Sequence, residues 1–319
     1  MANKVTIIGT GNFGSTIAFI LAMRGLCHEV ILRGRSINLA KGKALDMSQA
    51  ANAAREHTIV RAAEGPEDIA DSQIVVIAAG APRTQGMDRD DLLNKNAEIV
   101  KSYALEIKEY APNAIIIIVS NPLDVMTYVA LKYTGFSKER VLGMAGILDA
   151  ARMAHFIYEK LGYGAGQIRA TVMGGHGDTM VPLPKFTTVA GVPIDDLLDS
   201  EEIGEIVQKT KNGGAQIVNL LGDGSAYYAP AKSTAVMVEA ILKDTKQIHS
   251  CAVMLDGEYG YKDVVSGVPV MIGANGAEQV IEMTLKTLQK TRFKNSVDAV
   301  KEMVNKLNNN GFFDDCENK

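Results

Sequence analysis

The sequence is short of cysteine, of positive charge and of long apolar runs, and each shortage closes off a class of protein. Cys27, Cys251 and Cys316 are scattered and odd in number, with no CxxC or Cys/His ligand spacing. That argues against a disulfide framework or a zinc site and suits a reducing compartment, so the cytoplasm is the expected location and no metal is expected. The formal net charge is −4. A mildly acidic chain has no electrostatic footprint for nucleic acid or for a membrane surface, and neither is expected as a partner. No segment offers the uninterrupted run of about 20 apolar residues that a spanning helix needs. The stretch from Lys4 to Met23 comes nearest, but Gly9, Asn12, Ser15 and Thr16 divide it into a strand, a turn and a helix start. No small-residue cleavage site follows it, so it is read as folded structure and not as a signal peptide. Internal repeats and low-complexity linkers are also missing, so two halves packed closely together are expected.

What is present is ordinary for a globular chain: 319 residues, 47% hydrophobic and 22% charged, enough for two domains or one large one. The first half alternates strand-like and helical patterns. Lys4–Ile8 and Glu29–Leu32 read as strands, with a helix over Gly14–Met23 between them and another carrying Ala40, Ala44 and Met47 behind. Ile74–Ala78 and Ala114–Val119 are wholly apolar, as strands covered on both faces are. Between them Arg89–Tyr110 has the apolar spacing of one long helix. This alternation predicts right-handed βαβ units and an α/β, doubly wound parallel sheet of the Rossmann kind over residues 1–145. Beyond it the pattern changes. Ile147–Leu161, Glu201–Leu221 and Ser225–Asp244 read as helices. Gln167–Ile194 reads as short antiparallel strands, and Gln247–Leu255 and Val268–Ile272 as further strands. From Ala277 the chain reads as helix-rich to about Asn308. Residues 146–319 are therefore expected to form an α+β substrate domain with antiparallel strands.

Gly9-Thr-Gly11-Asn12-Phe13-Gly14 matches GxGxxG and stands between a predicted strand and a predicted helix, the context that a dinucleotide loop requires. The first glycine permits the tight turn, the second lets main chain approach a pyrophosphate, and the third allows close helix–strand packing. One residue expected with it is missing. A site for NAD places Asp or Glu roughly 20 residues on, against the ribose 2′-hydroxyl. This chain has Leu32-Arg33-Gly34-Arg35-Ser36 there. No carboxylate would repel a 2′-phosphate, and two guanidinium groups and a hydroxyl are available to hold one. NADP is thus the favoured cofactor and NAD the alternative.

Of five histidines, His28, His57, His155 and His249 sit singly and read as packing or surface residues. His176 differs, lying in Met173-Gly-Gly-His-Gly-Asp178, where flanking glycines open the imidazole to a ligand. An acid–base histidine needs an orienting carboxylate, and Asp149 is the candidate. Arg152 follows it at i+3 on the same helix face, so the pair can serve one site. Ala79–Arg89 follows an apolar strand, where doubly wound sheets bind ligands, and carries Arg83 and Arg89, suited to bidentate carboxylate recognition. Ser120-Asn121-Pro122 ends the next strand and can present an amide to the same crevice.

Taken in order, Gly9–Gly14, Arg83–Arg89, Asn121-Pro122, Asp149–Arg152 and Gly174–Asp178 resemble the lactate/malate dehydrogenase family, along essentially the whole chain. The resemblance implies hydride transfer between a nicotinamide cofactor and a small 2-hydroxy acid. It makes His176 the proton donor and acceptor with Asp149 as its partner. It gives Arg152 the substrate's C1 carboxylate, Arg89 the carbonyl being reduced, and Asn121 a hydrogen bond near the substrate oxygen. Arg83 falls at the specificity position, where the family's malate-acting branch has Arg and its lactate-acting branch has Gln. The Gly222–Pro230 stretch resembles the malate-acting branch as well. A dicarboxylate substrate, malate/oxaloacetate, is therefore expected, with L-lactate dehydrogenase activity on pyruvate as the alternative. Asn96, Val119 and Asn121 are expected to join the glycine loop and Arg33–Ser36 in holding cofactor. Gly34 departs from the family's NAD-dependent members, which have Asp. Family resemblance also implies a homodimer or homotetramer. A metal-dependent glycoside hydrolase with a related nucleotide domain lacks a ligand cluster in this sequence. A nucleotide-binding redox sensor would have no use for Asp149, Arg152 and His176 together.

Overall fold

Apolar runs that need cover on both faces line up in the middle of one sheet. The computed structural model describes residues 3–81, 89–222 and 224–317, with Arg89 and Glu317 described by their main chain alone. In the first half, β1 (Lys4–Ile8), β2 (Glu29–Arg33), β3 (Ile59–Ala62), β4 (Ile74–Ile77), β5 (Ile115–Ile118) and β6 (Val141–Gly143) run parallel. Helices α1 (Asn12–Met23), α2 (Ile37–Ala53), α3 (Arg89–Tyr110) and α4 (Leu123–Thr134) connect and cover them. Every residue of β4 and β5 is buried, which only helices on both faces permit. β1 pairs on one side with β2 (Val5 beside Val30) and on the other with β4 (Val5 beside Ile74). The chain thus reverses its winding between β1 and β4, and the loops after these strands flank a crevice where such sheets bind ligands.

The second half supplies α5 (Ala145–Leu161), five two-residue strands, two long helices and three more strands. The short strands are β7 (Ile168–Arg169), β8 (Val172–Met173), β9 (Val181–Pro182), β10 (Thr188–Val189) and β11 (Val192–Pro193). They are all antiparallel: β10 lies between β7 and β11, and β8 pairs β9. After α6 (Ser200–Leu221) and α7 (Tyr228–Leu242) come β12 (Gln247–Asp256), β13 (Lys262–Gly273) and β14 (Gly276–Val280), then α8 (Thr287–Asn309) and α9 (Asp314–Glu317). The last three strands are antiparallel and extend the parallel sheet, β12 meeting β6 at Ala252 and Gly143. The large sheet therefore runs on past residue 145, with α5 following β6. No helix among the described residues is long and apolar enough to cross a membrane.

β3 and β6 were not among the expected elements, and two further segments differ from expectation. Ala277 does not open a helix: Gly276–Val280 pairs with β13, and helix begins only at Thr287. Ala, Glu and Gln are good helix formers, but a hairpin through Gly276 (φ 95°) places them on the edge of a sheet, and pairing outweighs propensity. α4 escaped the pattern reading because Leu123–Ala130 is buried all round, leaving no polar face to mark the period.

The Gly9–Gly14 loop, expected to hold a dinucleotide, is set by two close approaches. Gly9 (φ 111°) turns the chain where any Cβ would stand 2.7 Å from the main chain of Ala78. A Cβ on Gly14 would overlap the Gly9 carbonyl oxygen. Gly14→Ala is therefore expected to destabilise the protein by about 1–3 kcal/mol, as overpacking does, and to weaken dinucleotide binding. A lower urea midpoint at unchanged slope would show it; an unchanged midpoint would mean that the loop can yield.

Candidate active site

α5 begins against the sheet and carries Asp149 and Arg152 one turn apart on one face. Asp149 is 1% exposed and uses both oxygens. Oδ1 accepts from Arg152 Nη1 at 3.1 Å, and Oδ2 is 2.9 Å from His176 Nδ1. A carboxylate cannot donate, so Nδ1 carries the proton in that bond and Nε2 is the outward nitrogen.

His176 reaches this position because the chain after β8 is held at three successive residues. Gly174 (φ 81°) donates to the Gly267 carbonyl of β13 at 2.8 Å. Gly175 N–H donates to Ser296 Oγ of α8 at 2.7 Å, and His176 N–H donates to Asp124 Oδ2 of α4 at 2.8 Å. Burial of the ring lowers its pKa. The charge and hydrogen bond of Asp149, joined by the charge of Asp124, outweigh burial and the opposing Arg152, so the imidazole titrates above its ordinary value. The environment of the ring thus favours its protonated form relative to a free imidazole.

Arg152 is mostly buried, and its Nε has no hydrogen-bond partner among the described residues. With Nη1 held by Asp149, the guanidinium keeps donors for a carboxylate ligand. α6 comes close to it through Gly213 and Gly214. A Cβ on Gly214 would lie 3.4 Å from Arg152 Nη2, and one on Gly213 would lie 3.6 Å from its Cδ. At those distances an added methyl would make only ordinary van der Waals contact, so the glycines lie against the arginine without being required by it. Gly213, Gly214, Asp124 and Ser296 were not singled out from the sequence. The discoverable signals were the adjacent glycines in a helical pattern and a carboxylate in the otherwise apolar Leu123–Val125 turn.

Other expected residues gather at the strand ends. Asn96 of α3 is 2% exposed; its Oδ1 accepts from Ala81 N–H at 2.7 Å and its Nδ2 donates to the Asn121 carbonyl at 2.7 Å. It ties the loop after β4 to the loop after β5, beside buried Val119. Ser120 Oγ donates to Ala79 O at 2.5 Å across the same gap. Arg83 and the side chain of Arg89 lie outside the described residues. Gly11 and Asn12 are exposed, and α1 has no side-chain cap, so its first N–H groups remain for an anion. These features fit a dinucleotide pyrophosphate.

At the end of β2 the three candidate donors are not equivalent. Arg33 forks onto Glu106 of α3, Nε to Oε1 at 2.9 Å and Nη2 to Oε2 at 3.2 Å. Ser36 Oγ accepts from Leu39 N–H at 3.3 Å as the cap of α2. Arg35 is exposed. Gly34 faces Thr10, whose Oγ1 a Cβ would meet at 2.6 Å.

A uncapped glycine loop and a carboxylate bridging histidine and arginine on one fold narrow the possibilities, and comparison with known proteins decides among them. Residues 3–143 match the profile of the lactate/malate dehydrogenase NAD binding domain, and residues 147–310 that of the lactate/malate dehydrogenase alpha/beta C-terminal domain. The chain belongs to the lactate/malate dehydrogenase family. It is 63% identical over 314 residues to the malate dehydrogenase of Sulfurimonas denitrificans, covering 98% of each chain. Among solved structures it superimposes on the malate dehydrogenase of Cryptosporidium parvum with a TM-score of 0.94 at 38% identity, covering 97% of this chain and 100% of that one. A lactate dehydrogenase from the same organism, complexed with lactic acid and nicotinamide adenine dinucleotide, gives 0.93 at 36% identity, covering 97% and 99%. Backbone likeness alone therefore does not separate the two branches of the family.

The His176–Asp149 bond predicts a pH signature. The folded imidazole titrates above its unfolded value near 6.5, so the stability from the pair is fully present below about 6.5 and is lost as pH rises through the folded value. Asp149→Asn removes that contribution together with the pH-independent hold on Arg152. A loss of about 3–5 kcal/mol is expected at pH 5.5, as for a broken buried pair, and a smaller loss at pH 8.5. Chemical denaturation at both pH values measures it; a gap that does not change with pH would show that the pair does not stabilise the fold through its charge.

Proposed function

We propose that this protein is a malate dehydrogenase, interconverting (S)-malate and oxaloacetate with a nicotinamide cofactor. The observation that carries the reading is the single buried carboxylate, Asp149, that holds both His176 and Arg152. In malate oxidation, Arg152 grips the C1 carboxylate and fixes C2 against the histidine. Neutral His176 takes the hydroxyl proton on Nε2, and the resulting imidazolium is stabilised by Asp149 across Nδ1. The bound nicotinamide supplies the hydride acceptor, so the C2 hydrogen leaves with its electron pair as the C2–O bond becomes a carbonyl. In reduction, protonated His176 returns the proton to the oxygen while Arg89 balances the charge that develops there. Asn121, at the end of β5, orients the same oxygen.

Arg83 is assigned the second carboxylate, on its position in the sequence. With pyruvate it would face a methyl group, and an unpaired charge in a closed site costs roughly 3–5 kcal/mol. Since about 1.4 kcal/mol is tenfold, oxaloacetate is favoured by a few hundred-fold or more. NADP is proposed as the preferred cofactor: no carboxylate stands at Gly34, and exposed Arg35 with the Ser36 hydroxyl can receive a 2′-phosphate. Arg33 is paired with Glu106 and is not counted toward this site. We further assign the chain to a cytoplasmic homodimer or homotetramer. The apolar side chains of Leu220 (80% exposed) and Tyr228 (70% exposed), around the α6–α7 turn, support association.

Initial rates with oxaloacetate and with pyruvate, each with NADPH and with NADH, test both halves of the reading. Oxaloacetate should win by at least about a hundred-fold, and NADPH should exceed NADH. Faster pyruvate reduction would make the protein a lactate dehydrogenase. A large NADH advantage would overturn the cofactor assignment alone. Arg83→Gln is expected to lower kcat/KM for oxaloacetate far more than for pyruvate; equal losses would remove the basis for substrate choice.

A further inference from the structure

Asp124 is a buried carboxylate that the mechanism so far leaves unused. It sits in the first turn of α4, 3% exposed, in a segment whose neighbours Leu123, Val125 and Met126 are all core residues. One oxygen accepts the His176 N–H at 2.8 Å, and the other is buried with no hydrogen-bond partner among the described residues. Burying a carboxylate on so little compensation is costly, and burial pushes Asp124 up to about 6, against the hydrogen bond from His176. The α4 N-terminus offsets part of that cost. Nothing in the packing of α4 calls for a charge here.

The contact is instead directed at the histidine. Gly175 is fitted so closely that a Cβ would stand 3.3 Å from Asp124 Oδ2 and 3.2 Å from Thr179 Oγ1. The His176 main chain is therefore fixed between α4 and α8 while its ring is held from α5. Among the described residues, the charged groups acting on the imidazole are Asp149 and Arg152 from α5 and Asp124 from α4. α8 presents Ser296 and Val300 to the same turn, neither of them charged.

We propose that Asp124 is a positioning residue for the reaction, anchoring the His176 main chain while Asp149 anchors its ring, and adding a second negative charge behind the imidazole. The proposal rests on the reading of His176 as the acid–base. Asp124→Asn keeps an oxygen for the His176 N–H and removes the charge; Asp124→Ala removes both.

The experiment is the pH dependence of kcat/KM for malate oxidation and oxaloacetate reduction by the parent and both variants. Melting curves and reduced-cofactor fluorescence titration check that each variant is folded and binds cofactor. For Asp124→Asn, the histidine-controlled limb is expected to move to lower pH by about half a unit or more in both directions, with cofactor affinity little changed. Asp124→Ala is expected to lose about tenfold or more in kcat at its optimum. A parent inactive on both oxaloacetate and pyruvate would refute the functional reading itself. An active parent whose pH profile superimposes on that of Asp124→Asn would overturn the role of Asp124, even if the variant melts at lower temperature. Should Asp124→Ala fail to fold, the profile of Asp124→Asn decides.

Discussion

The site depends on a carboxylate that is shared. Asp149 is almost fully removed from water and has two cationic or potentially cationic neighbours, Arg152 and His176. A buried carboxylate facing one histidine would gain a partner only while the ring was protonated. With Arg152 permanently charged beside it, Asp149 remains paired in both states of the histidine, so the ring can lose its proton without leaving an isolated charge behind. Arg152 still opposes protonation of the histidine, but the charge and hydrogen bond of Asp149 outweigh it. One side chain thereby sets Arg152 and His176, the residues proposed to hold the substrate and to move its proton, at a fixed separation.

Bringing those three groups together is a problem of long-range topology. Asp149 and Arg152 are local partners on α5, but His176 arrives through a turn whose hydrogen bonds run to β13, α8 and α4. β13 and α8 are more than 80 positions further along the chain, and α4 about 50 earlier. The extension of the parallel sheet by β12 and β13 is what puts Gly267 beside Gly174. The turn that carries the histidine is thus fixed by elements of both halves, α4 from the first and β13 and α8 from the second.

Local chemistry was legible in the sequence where the residue types are forced. The strands β1 and β4 were readable from β-branched runs, α3 from its period, and the dinucleotide loop from glycines that close approach demands. Asp149, Arg152 and His176 could be chosen because acid–base work on a carboxylate substrate needs that set. Legibility failed where the cause lies far away in the chain. β14 resembles a helix until β13 is beside it, and α4 has no polar face to read. Arg33 looks free until α3 brings Glu106 to it, so the segment Leu32–Ser36 on its own offers two arginines where one is already engaged.

Asp124 belongs to the same class, and its cost shows why a tertiary reason is needed. A carboxyl whose folded pKa is raised contributes stability that is fully present below its unfolded value near 3.9 and is lost as pH rises through about 6. At neutral pH the ionised group therefore weighs against the fold. A neutral residue would relieve that burden, and α4 is already well supplied with apolar contacts. The charge makes sense only in relation to its neighbour: where it is ionised it acts on the imidazole in the sense that favours the proton, opposing the desolvation that burial imposes on the ring. The stability lost in α4 and the proton affinity gained at His176 arise from one and the same buried charge. For a histidine proposed to accept a proton from a buried position, Asp124 adds to the larger contribution of Asp149 in offsetting burial.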